Sequence, residues 1–212
     1  ISSTFIVLWV HLFGLMDYVM VYQFAITVIA ANTLFGLALP ALIEDNIRLR
    51  QVAFTDSLTQ TATREWLEQQ ADLEVIRHQH SGLPLSLVLF DVDHFKQIND
   101  VYGHQTGDQA LATLCQIARQ FLRPTDVLAR YGGDEFLVVI ESIEMNAAKA
   151  IAESIRSGIL KQNIIISSVG ELIQVSVSIG VAIGAESWLE LLEKADQSML
   201  RAKAKGKNIV ES

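Results

Sequence analysis

The chain has 212 residues, 50% of them hydrophobic, with 16 Lys+Arg against 24 Asp+Glu and a formal net charge of -8. That length accommodates one domain with an appendage, and the acidic balance disfavours nonspecific binding to a polyanion, so no nucleic-acid partner is expected. Cys115 is the only cysteine, which excludes an internal disulfide and a cysteine-cluster metal site and fits a reducing compartment.

The charges are unevenly spread along the chain. Asp17 is the only Asp, Glu, Lys or Arg before Glu44, and from Tyr18 to Ile43 no residue carries a formal charge. About 20 apolar residues suffice to cross the hydrocarbon core as a helix, so residues 1–43 are expected to be a transmembrane region rather than a buried core helix. The run from Phe5 to Met16 is also apolar, with the tail of a preceding span as one reading, and Asp17 would then sit in a short turn at an interface. No basic segment precedes the run, which argues against a cleaved signal peptide. Arg48 and Arg50 follow closely and put the remainder on the cytoplasmic side. The first residue is Ile1 rather than Met, and the expectation is a fragment of a longer membrane sensor.

Residues 44–55 read as a helical linker. Leu39, Leu42, Asn46, Leu49 and Ala53 fall at alternating steps of three and four residues, the spacing of a heptad seam. A short parallel coiled coil and an amphipathic connector with a solvated Asn46 both fit this pattern.

From about residue 54 helices and strands alternate. Leu85 to Phe90 is a bounded apolar run that predicts a buried strand ending at Asp91. Gln109 to Leu122 has helical periodicity. Val127 to Tyr131 and Phe136 to Ile140 read as strands joined through Gly132-Gly133, a pair suited to a tight hairpin turn, with Asp134 and Glu135 at its tip. Ala147 to Leu160 is expected to be helical. Ile164 to Val169 and Leu172 to Ile183 flank Gly170-Glu171 as a second hairpin, and Trp188 to Ala204 is a final helix. The resulting class is α+β around a mostly antiparallel sheet.

Asp91 and Asp93 end one apolar strand, while Asp134 and Glu135 lie on a turn between two others. A lone acidic turn residue is ordinarily just solvated, but carboxylates at two strand ends can converge on a hard cation. Mg²⁺ takes oxygen ligands and is typically held by one or two carboxylates plus substrate phosphates. Gly132 and Gly133 would either let backbone approach a ligand or satisfy positive φ in a turn.

The run Arg130-Tyr131-Gly132-Gly133-Asp134-Glu135-Phe136 resembles the signature of the GGDEF-type diguanylate cyclases. Further motifs follow the same order: Asp56-Ser57-Leu58-Thr59; Phe90-Asp91-Val92-Asp93-His94-Phe95-Lys96-Gln97-Ile98-Asn99-Asp100 with Tyr102-Gly103-His104 and Gly107-Asp108; Val177-Ser178-Ile179-Gly180-Val181-Ala182; and Ala202-Lys203 with Gly206-Lys207-Asn208. The resemblance covers about residues 54 to 212, with the cyclase domain itself at 56–212. It implies the nucleotidyl cyclase and polymerase-palm type of fold, preceded here by the transmembrane helix. It also implies a bacterial inner-membrane enzyme with its catalytic domain in the cytoplasm, which joins two GTP into cyclic di-GMP plus pyrophosphate as a homodimer. By position, Asp91, the Val92 carbonyl and Asp134 would hold Mg²⁺, with Mn²⁺ as the alternative. Glu135 would support the site, and Asp134 would assist deprotonation. Asn99 and Asp108 would read the guanine edge with His104 near the nucleotide, while Lys96, Lys203 and Lys207 would face phosphate charge.

Departures from the family pattern are local. Gln60, Thr61 and Thr63 stand where the family usually has Gly, Leu and Asn, and Leu200 stands where it commonly has Tyr. Arg123 and Asp126 occupy the position of the family's product-inhibition site, a pair suited to a guanine dinucleotide because Arg binds phosphate bidentately and Asp accepts from a base edge. Ser154 replaces an additional arginine that some members carry, with Arg156 nearby. The rival readings are a catalytically silent cyclic di-GMP receptor and a GTP-binding regulatory module.

Overall fold

The structure, a computed structural model, describes residues 3–141, 144–166, 171–184 and 187–212. The chain divides into two units, Ile1–Gln51 and Val52–Ser212.

The first unit is helical. Helix α1 runs without interruption over Ser3–Phe54, so the turn expected at Asp17 is absent. The correction has a simple cause: no proline lies near Asp17, and an unbroken hydrogen-bond ladder is the default for such a sequence. Every side chain from Asp17 to Pro40 is exposed, and this 24-residue stretch has a mean hydropathy of 1.6, long and apolar enough to cross a membrane. The backbone of the heptad segment is helical. The side chains of Leu42, Asn46, Leu49 and Ala53, and those of Arg48 and Arg50, lie outside the described residues.

The second unit is built on a six-stranded sheet. Its elements are β1 (Ala62–Thr63), α2 (Arg64–Ser81), β2 (Leu85–Val92), α3 (Phe95–Tyr102), α4 (His104–Arg119), β3 (Val127–Arg130), β4 (Glu135–Glu141), α5 (Met145–Lys161), β5 (Asn163–Ile166), β6 (Glu171–Gln174), β7 (Val177–Ile183), α6 (Trp188–Ala204) and β8 (Val210–Glu211). The strand order is β1-β3-β4-β2-β7-β8, with β5 and β6 forming a separate two-stranded sheet. The central pairings β3–β4, β4–β2 and β2–β7 are antiparallel, and the short edge strands β1 and β8 pair in parallel.

Side chains alternate across a strand, and the central strands fill both faces with apolar groups. Val88 and Phe90 of β2, Phe136, Val138 and Ile140 of β4, and Ile179 and Val181 of β7 pack on one face with α4 and α5. Leu87 and Leu89, with Leu137 and Val139, pack on the other with α2 and α6. Double-sided burial explains why Leu87 to Phe90 is a continuous apolar run rather than an alternating one. Phe90 and Phe136 are register partners whose rings stack with centroids 5.4 Å apart.

Two expected elements need correction. The helix expected over Gln109–Leu122 starts at His104 and ends at Arg119, because Thr106 and Gly107 are buried helical positions without an apolar side chain. The second hairpin pairs only Asn163–Ile166 with Glu171–Gln174, and residues 167–170 lie outside the described residues. The expected long strand Leu172–Ile183 divides at Val175-Ser176. There the Ser176 carbonyl accepts from the Asp93 N–H at 2.9 Å, and the Ser176 hydroxyl donates to the Asp93 carboxylate at 2.7 Å.

Candidate active site

The register of β2 against β4 sets the site. Asp91 pairs with Glu135, and the Val92 N–H donates to the Asp134 carbonyl at 3.1 Å. The chain ends of β2 and the β3–β4 turn are thereby held side by side, and Asp91, Asp134 and Glu135 form an acidic cluster. Asp91 is nearly buried. Burial pushes its carboxyl above the ordinary value, the nearby charges of Asp134 and Glu135 push it further, and Lys203 opposes both. The Lys203 Nζ, on the last turn of α6, lies 2.9 Å from Asp91 Oδ2.

The glycines act differently from the simple hairpin expectation. Four residues, Tyr131 to Asp134, connect β3 to β4, and Glu135 is the first residue of β4 rather than part of a tip. The Glu135 carbonyl accepts from the N–H groups of both Tyr131 and Gly132. Neither Gly132 nor Gly133 has a positive φ, so conformational freedom is not their role. A Cβ on Gly132 would lie 2.7 Å from Glu135 Oε2, whereas one on Gly133 would meet nothing within 4 Å. Gly132 therefore makes room for the Glu135 side chain, whereas the Cα of Gly133 faces open space.

Arg130 and Asp56, to which the sequence alone assigns no role, brace this turn. The Arg130 guanidinium donates to the Gly133 carbonyl at 2.7 Å from one nitrogen and reaches both Asp56 oxygens at 3.3 Å from another. Asp56 also accepts from the Thr59 N–H and hydroxyl at 2.8 and 2.6 Å, and these donors with Arg130 lower its carboxyl against the upward push of burial. Thr59 and Thr61 hydroxyls bond at 2.8 Å, and Thr63 caps α2 by accepting from the Trp66 N–H. The altered opening loop is thus internally satisfied. Gln60 bears the cost of replacing glycine, with φ at 56°, a conformation that disfavours a side chain.

Asp93 is the second carboxylate that the sequence grouped with Asp91, and it does something else. It is buried and accepts from Ser178 Oγ at 2.6 Å, Ser176 Oγ at 2.7 Å and the Asn208 N–H at 3.1 Å. All its visible acceptor capacity goes to joining β2, β7 and the segment after α6. That segment carries Lys207, whose Nζ stands 3.2 Å from His94 Nε2.

Asn99 lies on α3 and packs over Gly107 of α4, where an added Cβ would be 1.9 Å from Asn99 Oδ1. This oxygen is buried with no hydrogen-bond partner. Asp108 follows Gly107 and is exposed, as are His104 and Lys96. Asn99 thus offers an unfilled acceptor against Gly107, the residue that precedes Asp108 on α4, while Lys96 and His104 make no described contact with Asn99 or Asp108.

Arg123 and Asp126 stand apart from the acidic cluster. Asp126 Oδ2 accepts from the Arg123 N–H at 2.7 Å and the Arg123 carbonyl accepts from the Asp126 N–H at 3.0 Å, leaving the Arg123 guanidinium exposed and Asp126 Oδ1 buried without a partner. The pair lines a groove of about 470 Å³ with Trp66, Arg119 and Leu122. Ser154 donates to the Ala150 carbonyl, and Arg156 is engaged by Glu153 and Asn208.

Oxygen donors alone, from Asp91, the Val92 carbonyl and Asp134, suit a hard cation such as Mg²⁺, and the mutual repulsion at Asp91 marks a place where positive charge is favourable. Because the folded state raises the Asp91 pKa, its ionised form is disfavoured on folding: the stability it leaves intact at acid pH is lost as pH rises past the ordinary carboxylate range. Asp91→Asn without divalent metal is therefore expected to melt higher than the parent at neutral pH, with the difference shrinking in acid. Calorimetric melts at both pH values check this.

A sequence model of the diguanylate cyclase GGDEF domain matches residues 53–209. Diguanylate cyclase DosC of Escherichia coli (strain K12) is 38% identical over 158 residues, 74% of this chain and 34% of the relative. Response regulator PleD of Caulobacter vibrioides is 36% identical over 163 residues, 76% of this chain and 36% of the relative. The chain thus spans about a third of the length of these relatives. The solved coiled coil and GGDEF domain of DgcB from Caulobacter crescentus, in complex with c-di-GMP, superposes with a TM-score of 0.79 at 29% identity, covering 82% of this chain and 93% of that one. With the domain model matched over residues 53–209 and the fold shared with this solved domain, the chain belongs to the GGDEF diguanylate cyclase family.

Proposed function

We propose that the chain condenses two GTP into cyclic di-GMP and pyrophosphate, with residues 56–212 as the catalytic domain, 44–55 as a helical linker and 1–43 as the membrane region. The observation that carries this reading is the convergence of Asp91, Asp134 and Glu135 under Lys203. In each half-reaction the 3′-oxygen of one nucleotide bonds to the α-phosphorus of the other, the bond to the β-phosphate breaks and pyrophosphate leaves. Mg²⁺, or Mn²⁺, held by Asp91, the Val92 carbonyl and Asp134 would supply charge neutralisation at the triphosphate. Asp134 assists removal of the 3′ proton and Glu135 supports the turn. Lys203, Lys207 and Lys96 offset phosphate charge, Asn99 and Asp108 read the guanine edge, and His104 sits beside the nucleotide.

One such site holds one GTP, so two protomers face each other, and holding both nucleotides in line replaces a rare encounter by an oriented reaction. The membrane span, at the bacterial inner membrane with the catalytic domain in the cytoplasm, and the helical linker raise the local concentration of protomers. The test is incubation of the chain with GTP, ATP and Mg²⁺, reading pyrophosphate and the product mass over a protein dilution series. Specific activity that falls on dilution and a product mass of cyclic di-GMP are expected. Absence of pyrophosphate sinks the enzyme reading and leaves the silent receptor, and a mixed purine product redirects the specificity.

Arg123 and Asp126 serve product inhibition in this reading, supported by an exposed guanidinium beside an unpartnered carboxylate oxygen. Arg123→Ala is expected to raise the inhibition constant for added cyclic di-GMP at least ~10-fold, the value of a charge-assisted hydrogen bond, with the initial rate unchanged. Equal inhibition of parent and variant refutes it.

A further inference from the structure

A cluster at the far end of β4 from the signature turn has no part in cyclisation. Glu74 and His78 lie one turn apart on α2, and Glu141 closes β4. The potential donor atoms of these three residues lie within 4.8 Å of one another. Glu141 lies six residue steps along β4 from Glu135, about 20 Å of extended strand, so the cluster is distinct from the acidic site.

On each of the two α2 side chains one potential donor atom has no described partner. His78 Nδ1 is 3.2 Å from the Leu83 carbonyl. A carbonyl only accepts, so Nδ1 carries the proton and Nε2 keeps its lone pair; this is the arrangement by which metal-bound histidines are usually held. Glu74 Oε1 accepts from Arg77 at 2.6 Å, whereas Glu74 Oε2 is buried with no hydrogen-bond partner. An orphaned carboxylate oxygen of this kind calls for an explanation. Arg77 pairs with Glu74, and the Glu141 carboxylate adds a second negative charge to the cluster.

We propose that Glu74, His78 and Glu141 bind one divalent transition-metal ion of the Zn²⁺ type, which staples the C-terminal half of α2 to the end of β4. An imidazole with two carboxylates suits Zn²⁺ rather than Mg²⁺, which prefers oxygen alone. Three protein donors leave a fourth position for water. Donors of a tetrahedral site with bonds near 2.0–2.1 Å sit ~3.4 Å apart, so the cluster contracts on binding, and Arg77 keeps Oε1 while Oε2 takes the metal. Neither the binding nor its readout depends on the cyclase reading.

The test is calorimetric titration of the full chain with Zn²⁺ against a background of excess Mg²⁺, which occupies the hard-oxygen site. One saturable equivalent per chain is expected, accompanied by a rise in melting temperature. Glu74→Gln and His78→Gln should each weaken binding at least ~10-fold. His80→Gln is the control, because that ring faces the Ile76 carbonyl on the same helix and binding should be unchanged. Co²⁺ in place of Zn²⁺ should give a visible ligand-field band in the parent that His78→Gln abolishes. Absence of saturable Zn²⁺ uptake, or uptake retained in both α2 variants with unaltered melts, overturns the site.

Discussion

Asp134→Asn is expected to lower pyrophosphate release from GTP by at least ~10²-fold, the scale on which single electrostatic partners act in preorganised sites, while the melting temperature changes little. The separation follows from which atoms of Asp134 do what. Its backbone carbonyl bonds the Val92 N–H, and that bond survives any side-chain change. Its carboxylate contributes charge to the cluster that raises the Asp91 pKa, and an amide removes that charge without changing the size of the side chain. A neutral oxygen is a poor ligand for Mg²⁺ beside a polyanionic triphosphate, and it cannot accept a proton from a 3′-hydroxyl. Near-parental turnover in a folded variant would disprove the role given to Asp134.

The central strands were the most legible parts of this sequence, because burial on both sheet faces writes an unbroken apolar run, as in Leu87 to Phe90, whereas the glycine pair marked the place of the signature turn but not its form. Trp188–Ala204 was equally clear and has the expected bounds. Helix α2 was not foreseen: only Leu67, Ala71 and Val75 of its 18 residues are buried, too thin an apolar stripe to stand out among charges. Helix α3, with eight residues and Ile98 as its buried one, was too short for periodicity to declare it. Within the site, Asp91, Asp134 and Glu135 could be picked out by family position, but the division of labour between Asp91 and Asp93 could not. An Asp-x-Asp pattern looks the same whether the second carboxylate faces a ligand or two serine hydroxyls. The partners of Asp93 are 83 to 115 residues away in sequence, and only folding brings them together. The bracing of the turn by Arg130 and Asp56, 74 residues apart, was hidden for the same reason.

Gly180→Ala is expected to cost about 3 kcal/mol or more, the upper range for overpacking, which for a domain of this size corresponds to roughly 6–12 °C in melting temperature. Gly180 sits in β7 with no positive φ, so its backbone conformation suits any residue. What forbids a side chain is the helix above it. A Cβ there would lie 2.1 Å from the Ala195 carbonyl oxygen and 2.3 Å from the Met199 nitrogen, both backbone atoms of α6 that cannot swing aside as a flexible side chain would. Relief requires α6 to lift from the sheet or the strand to bend. Either movement reaches the site, because Lys203 extends from the last turn of α6 to Asp91 at 2.9 Å, and the segment after it is tied to Asp93 through the Asn208 N–H. The variant should therefore lose GTP affinity along with stability, even at temperatures where it stays folded. Melts by circular dichroism and GTP binding measured well below the transition test the two parts. Parental stability would mean that α6 and β7 are not in the close contact that the glycine permits, and parental GTP affinity in a destabilised variant would separate Lys203 from the phosphate.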